Sequence, residues 1–325
     1  MDLLTLGEAM GVYAAAGTGP LRVGDTSTFT FAGAESNVAI GMSRLGHDCT
    51  WLGRLGDDAA GRAIREALRG ESVDVAHVVM DPDNPTALLL RERRTADHVR
   101  VWYHRRHSAG SLLRPEDVDA SLVRSARLLH VTGITPALGE SCAAAVRFAV
   151  QVAQESGVPV SFDVNYRSRL WSRPEAARAL AYLVSAADIL FAGLDEARLF
   201  LSGPAGPAGP DVPAVPEHPD AIATALAETT GASVVLKLGD GGALAVAGHV
   251  VHRHPAVPVS AVDPVGAGDA FVAGYLSAYL AGMSEPDRLE RACVCGAFAV
   301  SCQGDWEGAP RLAELPLLSG DDVVR

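Results

Sequence analysis

The sequence predicts an α/β fold, with a mostly parallel central sheet between two layers of helices. Short apolar segments of strand type alternate with longer segments in which apolar residues recur at helical spacing. Strands that alternate with helices form parallel βαβ units, whose helices cover both sheet faces. The chain has 325 residues, 48% of them hydrophobic, enough to bury a sizeable core. We find no internal repeat and no linker, so we predict one domain over residues 1–325.

The elements can be assigned in chain order. Apolar runs predict strands at 3–6, at 49–53, around Leu129, before Asp163, and at 188–191, 233–238 and 257–262. Helical spacing predicts helices over 36–45, 59–70 and 139–156 and one that opens at Asp269. In the first helix Val38, Met42 and Leu45 share a face, and Gly46 is a stop signal.

Two segments interrupt this alternation. Residues 12–33 and 86–107 each contain short runs typical of antiparallel strands, and together they predict a small sheet that forms a lid over the site. Residues 203–219 are rich in Pro, Gly and Ala, which predicts a surface loop.

Charge and cysteine content exclude several function classes. The net charge of −12 opposes binding to nucleic acid or to an anionic membrane. The five cysteines include no CxxC pair, which argues against a disulfide framework or a zinc site, and we interpret all five as buried hydrophobes. No apolar run reaches membrane-spanning length, and the N-terminus lacks the features of a signal peptide. We therefore expect a cytoplasmic protein.

One local exception to the acidic character is the basic run at 104–107, with the sequence HRRH. In an acidic protein such a run suggests a small anionic ligand. A solvated strand end explains it equally well, and the run alone leaves both interpretations open.

The stretch DPVGAGDAF at 263–271 is the strongest chemical signal. Gly266, Ala267 and Gly268 precede a helix, where bare N–H groups and the helix dipole attract an anion. The carboxylate of Asp269 beside an anion pocket is suited to accepting a proton from an alcohol during phosphoryl transfer. A glycine-rich turn capped by an Asp is the alternative interpretation. The stretch is neither a dinucleotide fingerprint nor a Walker loop, since no third glycine and no Gly-Lys-Ser/Thr follow.

Other polar residues follow predicted strands, and ligands of parallel α/β sheets bind beyond the carboxyl ends of the strands. Besides 263–269, these positions are 7–8, 163–167, Glu196 and 239–242.

These motifs resemble those of the ribokinase-like (PfkB-type) carbohydrate kinases over nearly the whole chain. AGAESNVA at 32–39, followed by RLG, is similar to the family's N-terminal sugar-binding motif, and 263–271 fits its C-terminal motif. Within the family, the segments 103–105, 108–109, 163–167 and 304–308 are most like those of 2-keto-3-deoxygluconate kinases. The resemblance implies a ribokinase-like three-layer αβα fold and ATP-dependent phosphorylation of a sugar's terminal hydroxyl.

The resemblance also implies roles for residues around the reacting phosphate. Asp269 would be the general base, the N–H groups of Gly266, Ala267 and Gly268 would hold the phosphoryl group, and Arg167 would bridge phosphate and substrate. The residues implied at the nucleotide are Lys237, Gly239 and Gly242. Mg²⁺ would lie near Glu196, mostly through water, and a monovalent cation such as K⁺ would lie near Asp263, held partly by backbone carbonyls.

For the sugar, the resemblance implies that Gly33 and Asn37 bind hydroxyls. Tyr103 and Arg105 would reach an acid sugar from the lid, and Asp305 would contact it from the C-terminal segment. From the residues alone, Tyr103 could simply pack, Asp305 could lie in a solvated turn, Asn37 could cap its helix and Arg167 could pair with a surface acid.

We also expect a homo-oligomer formed through the lid.

Two positions depart from the family pattern. Gly193 stands where Asn is usual in the family's Asn-x-x-Glu motif, and Leu89 stands where 2-keto-3-deoxygluconate kinases often have Tyr. The second departure removes one expected contact to the sugar, but Arg105, Arg167 and the basic lid favour an anionic substrate. We expect a sugar acid, most of all 2-keto-3-deoxygluconate, as substrate, with a neutral keto sugar such as fructose as the alternative. A non-catalytic sugar-sensing protein is the alternative of another class, and the intact Asp269 argues against it.

Overall fold

Most strands of the central sheet are short, buried and apolar. The structure, a computed structural model, describes residues 1–95, 98–201 and 216–319. The strands are β1 (Leu3–Leu6), β2 (Met10–Thr18), β3 (Ser27–Ala32), β4 (Cys49–Leu52), β5 (Arg54–Gly56), β6 (Val73–Asp74), β7 (Val79–Asp81), β8 (Leu88–Arg93), β9 (Val99–His104), β10 (Leu128–Thr132), β11 (Val160–Asp163), β12 (Ile189–Gly193), β13 (Ser233–Lys237), β14 (Ala243–Ala247) and β15 (Val250–His254).

Most of the helices are amphipathic or apolar segments that pack on this sheet. They are α1 (Ala34–Arg44), α2 (Ala59–Gly70), α3 (Ala120–Ser125), α4 (Glu140–Ser156), α5 (Arg173–Ala186), α6 (Leu194–Leu201), α7 (Pro219–Thr230), α8 (Ala267–Leu280), α9 (Glu285–Val300) and α10 (Pro316–Ser319). Asp58 caps α2 by accepting a hydrogen bond from the N–H of Gly61. The hydroxyl of Ser172 caps α5 by accepting a hydrogen bond from the N–H of Glu175.

Nine strands form the central sheet in the order β15-β14-β13-β12-β11-β10-β1-β4-β6. Pairing is parallel from β13 to β6, and the two pairs at one edge, β13 with β14 and β14 with β15, are antiparallel. One face packs against a core with residues from α1, α2, α8 and α9, and the other against a core with residues from α3 to α7. The predicted three-layer α/β fold is therefore confirmed.

Helices α1 and α8 lie side by side at very close range. A Cβ added to Gly41 of α1 would lie 2.7 Å from the Cβ of Ala273 of α8, so the helices approach closely because position 41 has no side chain. One turn earlier in each helix lie Asn37 and Asp269, which are hydrogen-bonded to each other. The two helices therefore run parallel and bring both N-terminal ends to the same edge of the sheet.

A separate four-stranded sheet has the order β3-β2-β8-β9. Its strands come from the two segments in which the sequence predicts a lid. The outer pairs are antiparallel, but β2 and β8 pair in parallel, with Gly11 opposite Leu88. The expectation of a purely antiparallel sheet is wrong here because α1, α2 and several strands intervene between β2 and β8, and so long a connection permits a parallel pair.

Two further expectations are corrected. Residues 257–262 form no strand: Pro258 has no N–H to donate to a ladder, and the N–H of Val262 bonds to the carbonyl of Val300 at the end of α9. All five cysteines are free thiols, but Cys302 is exposed because it lies in the turn after α9.

Two observations concern the chain's other segments. Most of the predicted loop at 203–219 lies outside the described residues. Within the described ranges, every helix is too short or too polar to span a bilayer.

Candidate active site

Asp269 and Asn37 form the centre of the site. Asp269 is the third residue of α8, and its Oδ2 accepts a hydrogen bond of 2.8 Å from Nδ2 of Asn37. Oδ1 of Asn37 is buried and has no hydrogen-bond partner among the described residues, so it can accept a bond from a ligand hydroxyl. The structure thus brings together a predicted base and a predicted sugar-binding residue.

The environment of Asp269 favours a proton acceptor that works near neutral pH. Burial raises the pKa of Asp269 to about 6; Asn37 and the charges of Lys237 and Arg167 oppose this rise, whereas the charge of Asp163 adds to it. A general base is most effective when its pKa lies near the working pH.

The turn before α8 depends on glycine at position 266. Gly266 has φ 73°, and a Cβ there would lie 1.7 Å from the backbone oxygen of Asp305. A Cβ at Gly268, in contrast, would meet nothing closer than Nζ of Lys237 at 3.6 Å. The turn is therefore held against the segment around Asp305, while the space outside Gly268 stays open beside a cation and the N-terminus of α8. This is a favourable position for an anion.

Lys237, at the end of β13, donates a hydrogen bond of 2.7 Å to Oδ2 of Asp163, at the end of β11. Burial alone would lower the pKa of the Lys237 ammonium, but the charges of Asp163, Glu196 and Asp269 outweigh burial and raise it. The lysine is therefore a fixed positive charge at the carboxyl edge of the sheet.

Glu196 lies in the first turn of α6. Its Oε1 accepts the N–H of Tyr166 and its Oε2 the N–H of Gly193, both at 2.7 Å. Each carboxylate oxygen keeps a lone pair that can accept a hydrogen bond from water.

Glu196 is the carboxylate of this site that could help to hold Mg²⁺. Within residues 1–95, 98–201 and 216–319, no three His, Cys, Asp or Glu side chains cluster as a metal cage. Mg²⁺ usually binds one or two carboxylates together with waters and substrate phosphates, so a lone, hydrogen-bonded Glu196 fits an ion held mainly through water.

Three other predicted residues, Arg167, Gly239 and Gly242, follow the carboxyl ends of β11 and β13. Arg167 is exposed, and its charge lowers the pKa of Asp269. Gly239 and Gly242 bound the short turn between β13 and β14, each with positive φ. A Cβ at Gly242 would lie 2.2 Å from the backbone oxygen of His254, so glycine is required to keep this turn tight.

At the opposite side of the site, Arg105 pairs with Glu8, which follows β1. The guanidinium contacts Glu8 Oε2, and the hydroxyl of Ser108 donates to Oε1 at 2.6 Å. Nε of Arg105 is buried without a partner among the described residues. The arginine is therefore oriented by Glu8 and keeps one buried donor for a ligand.

Two other predicted sugar-binding residues border this pair. Gly33 packs against the backbone of Glu8, where a Cβ would lie 2.5 Å from its oxygen. The ring of Tyr103 is half exposed and lies 5.7 Å from the guanidinium carbon of Arg105 and 5.9 Å from that of Arg169.

A buried charge cluster links the small sheet to the glycine turn. Arg91 of β8 contacts Oδ2 of Asp263, and its Nη1 lies 4.0 Å from Oδ2 of Asp305. Burial raises the pKa of Asp305 to about 7; Arg91 opposes this, and Asp269, Glu307 and Asp263 add to it. The sequence reasoning missed Arg91. The signal was its position two residues after Leu89, on the same face of a lid strand.

Glu35 is a second residue that the sequence reasoning missed. It is buried in the first turn of α1, and its Oε1 accepts hydrogen bonds from Thr132 at 2.7 Å and Thr135 at 2.6 Å. Burial raises the pKa of Glu35 to about 7, against the effect of these hydroxyls. The signal was its place between Gly33 and Asn37 in the motif.

The sequence of this chain is similar to those of several known proteins. The sequence model described as "pfkB family carbohydrate kinase" matches residues 2–311. The chain is 34% identical over 318 residues to the 2-dehydro-3-deoxygluconokinase of Bacillus subtilis (strain 168), covering 97% of this chain and 94% of that protein. It is 33% identical over 287 residues to the fructokinase of Klebsiella pneumoniae, covering 86% and 88%.

Among solved structures, the 2-dehydro-3-deoxygluconokinase of Thermotoga maritima superposes with a TM-score of 0.87 at 27% identity. The match covers 98% of this chain and 100% of that one. The match therefore extends over the central sheet and the small sheet.

Proposed function

The chain belongs to the pfkB family of carbohydrate kinases, and we propose that it transfers the γ-phosphoryl group of ATP to the terminal hydroxyl of a 2-keto-3-deoxy sugar acid. The preferred substrate is 2-keto-3-deoxygluconate, also named 2-dehydro-3-deoxygluconate, and the product is its 6-phosphate. One observation carries the catalytic part: a carboxylate of raised pKa, Asp269, lies beside the bare N-terminus of α8.

In this mechanism Asp269 accepts the proton of the terminal hydroxyl. The hydroxyl oxygen forms a bond to the γ-phosphorus, the bond from that phosphorus to the bridging oxygen breaks, and ADP leaves. The N–H groups of Gly266, Ala267 and Gly268 hold the phosphoryl oxygens, where negative charge must be stabilised. Mg²⁺ would neutralise phosphate charge, with Glu196 orienting its water ligands.

Two cations complete the phosphate side. Lys237 is held by Asp163, and its ammonium faces the space outside Gly268. Arg167 is exposed at the same edge of the sheet and can bridge phosphate and sugar by a forked pair of hydrogen bonds. Gly239 and Gly242 keep the turn after β13 close to the nucleotide.

Arg105 supports the acid substrate. Its buried Nε has no partner among the described residues, and a donor in that state is most readily satisfied by a charged oxygen such as a substrate carboxylate. Tyr103 lies over the same guanidinium, and the small sheet, acting as a lid, would exclude water from the reacting groups.

A neutral keto sugar such as fructose is the second candidate. Glu8 already neutralises much of the charge of Arg105, and Leu89 lies opposite Tyr103 where a second phenol could have bound the acid. The fructokinase of Klebsiella pneumoniae is also a close relative by identity.

A coupled assay of ADP release tests both candidates, with 2-keto-3-deoxygluconate, 2-keto-3-deoxygalactonate, 2-ketogluconate, fructose and ribose as acceptors. We expect the highest kcat/KM for a 2-keto-3-deoxy sugar acid. If fructose or ribose ranks first, the acid substrate is wrong and the kinase stands. If no acceptor is phosphorylated while sugars still bind, the sugar-sensing alternative replaces the kinase.

We also propose that two copies associate through the lids. The outer face of the small sheet exposes Tyr13, Phe29 and Trp102, and a groove of about 540 Å³ runs beside Leu21 and Leu90. Exposed apolar patches of this kind commonly mark interfaces. Sedimentation of Trp102→Glu should then give a smaller species than the parent protein, and an unchanged sedimentation coefficient would argue against this interface.

A further inference from the structure

We propose that the guanidinium of Arg91 takes the place of a bound monovalent cation at Asp263, so that the enzyme works without K⁺. The inference deepens the proposed kinase function and rests on it for its kinetic part. Its structural part concerns only how the charge of Asp263 is balanced.

Asp263 is a buried carboxylate that begins the glycine turn. Its side chain is 1% exposed, and that of Arg91 is 10% exposed. A buried carboxylate needs a counter-charge or several donors to remain ionised. Arg91 supplies that charge from β8 of the small sheet through its contact with Oδ2.

The surroundings of Asp263 do not fit a metal cation. Oδ2 contacts Arg91 and lies 3.4 Å from the backbone nitrogen of Gly304, while Oδ1 lies 3.3 Å from that of Val265. Both carboxylate oxygens thus face donors. A monovalent metal ion would need oxygen ligands in the same space and would be repelled by the guanidinium.

The same guanidinium joins three segments that build the site. Arg91 lies on the small sheet, Asp263 begins the turn that ends at Gly268, and Asp305, 4.0 Å from Nη1, belongs to the segment against which Gly266 packs. A diffusible ion bound at Asp263 would connect the turn only to the residues next to the turn. Arg91 instead makes the position of the turn depend on the position of the small sheet, and so acts as a positioning residue.

The first test measures the melting temperature of the wild-type protein, without substrates, in chlorides of K⁺, Na⁺ or tetramethylammonium at equal ionic strength. We expect the same melting temperature in all three salts, and the same kcat if the kinase function holds. Stabilisation or activation specific to K⁺ overturns the proposal. Because the melting temperature needs no substrate, a failure of the kinase function leaves this part of the test intact.

The second test removes the built-in cation. Arg91→Ala should lose about tenfold or more in kcat/KM. K⁺ should raise its melting temperature and turnover above the values in tetramethylammonium, and guanidinium, at concentrations well below those that denature proteins, should raise its turnover. Arg65→Ala, which changes an exposed arginine of α2, should behave like the parent. If Arg91→Ala does not fold, Arg91→Lys keeps the charge and should remain indifferent to K⁺; activation of Arg91→Lys by K⁺, or full activity of Arg91→Ala in tetramethylammonium, contradicts the proposal.

Discussion

Asn37 and Asp269 are joined by a hydrogen bond of 2.8 Å, one helical turn before the point where Gly41 and Ala273 hold α1 and α8 together. The amide and the carboxylate are thus carried by two helices whose spacing is fixed by a glycine contact. A change at Asn37 or Asp269 should alter proton transfer without disturbing the nucleotide side of the site.

Replacing Asp269 by Asn should remove the proton acceptor and keep the shape of the site. We expect kcat to fall by roughly 10²–10⁴-fold, the usual contribution of a general base, while calorimetry gives unchanged affinity for ATP and sugar. Asp48→Asn, at an exposed position, is the matched control. A variant with nearly full kcat would refute the assignment of the base.

The pH profile should report the same carboxylate. Since Asp269 must be ionised to accept a proton, kcat/KM should fall as the pH drops through about 6. The hydrogen bond from Asn37 favours the ionised form, so Asn37→Ala should raise the pKa and move the acid limb of the profile to higher pH. An acid limb that stays in place, or moves to lower pH, would show that another group controls it.

The two glycines of the turn should respond differently to alanine. Gly266→Ala places a Cβ against the backbone of Asp305 at positive φ, so we expect a clear fall in melting temperature as well as loss of activity. Gly268→Ala has room for its methyl group and should fold normally, with its defect confined to kcat and the KM for ATP. Equal melting temperatures for the two variants would argue against this description of the turn.

Arg105→Ala should raise the KM for a sugar acid by about tenfold and leave the KM for ATP unchanged. It also leaves the buried Glu8 without its cation, which should lower the melting temperature. The double variant Arg105→Ala/Glu8→Gln separates the two effects, since it should recover stability and keep the high KM. Parallel changes in both KM values would place Arg105 outside the sugar site.

Glu35 should make stability depend on pH. Its pKa is raised from 4.5 to about 7, so between these values the unfolded chain releases the proton that the folded chain keeps, and the free energy of unfolding falls as pH rises. Glu35→Gln removes this loss, which amounts to about 3 kcal/mol at most. Denaturation at pH 5 and pH 7.5 should therefore show the variant gaining on the parent at the higher pH. A constant difference would mean that Glu35 ionises freely in the folded state.

Local sequence patterns predicted the strands β1, β4 and β10 to β13 of the central sheet and the helices α1, α2, α4 and α8, but not the antiparallel edge strands β14 and β15. Helix α2 has the predicted bounds, because apolar spacing and clear end signals coincide there. Patterns failed where long-range contacts decide: the run at 257–262 is apolar, but its backbone bonds to the end of α9 and not to a strand. The parallel pair of β2 and β8 has no local signature at all.

The same division holds for the candidate site. Asp269 and Asn37 lie in motifs with recognisable spacing, and the structure joins them. The partners of Asp263 and Arg105 could not be predicted, since an arginine in a strand does not reveal which distant carboxylate it will meet. Arg91 and Glu8 acquire their roles only when the small sheet is placed over the ends of β1 and the glycine turn.

The parallel pairing of β2 with β8 has a consequence for the order of folding. Each is also half of an antiparallel pair with its neighbour in sequence, β3 or β9, and such local pairs form quickly. Joining them requires closure of the long intervening chain, whose entropy cost is met only once α1 and α2 have packed. We therefore expect two hairpins that mature early and meet late, so that Arg91 reaches Asp263 in the last step and a newly synthesised chain becomes competent only when its folding is complete.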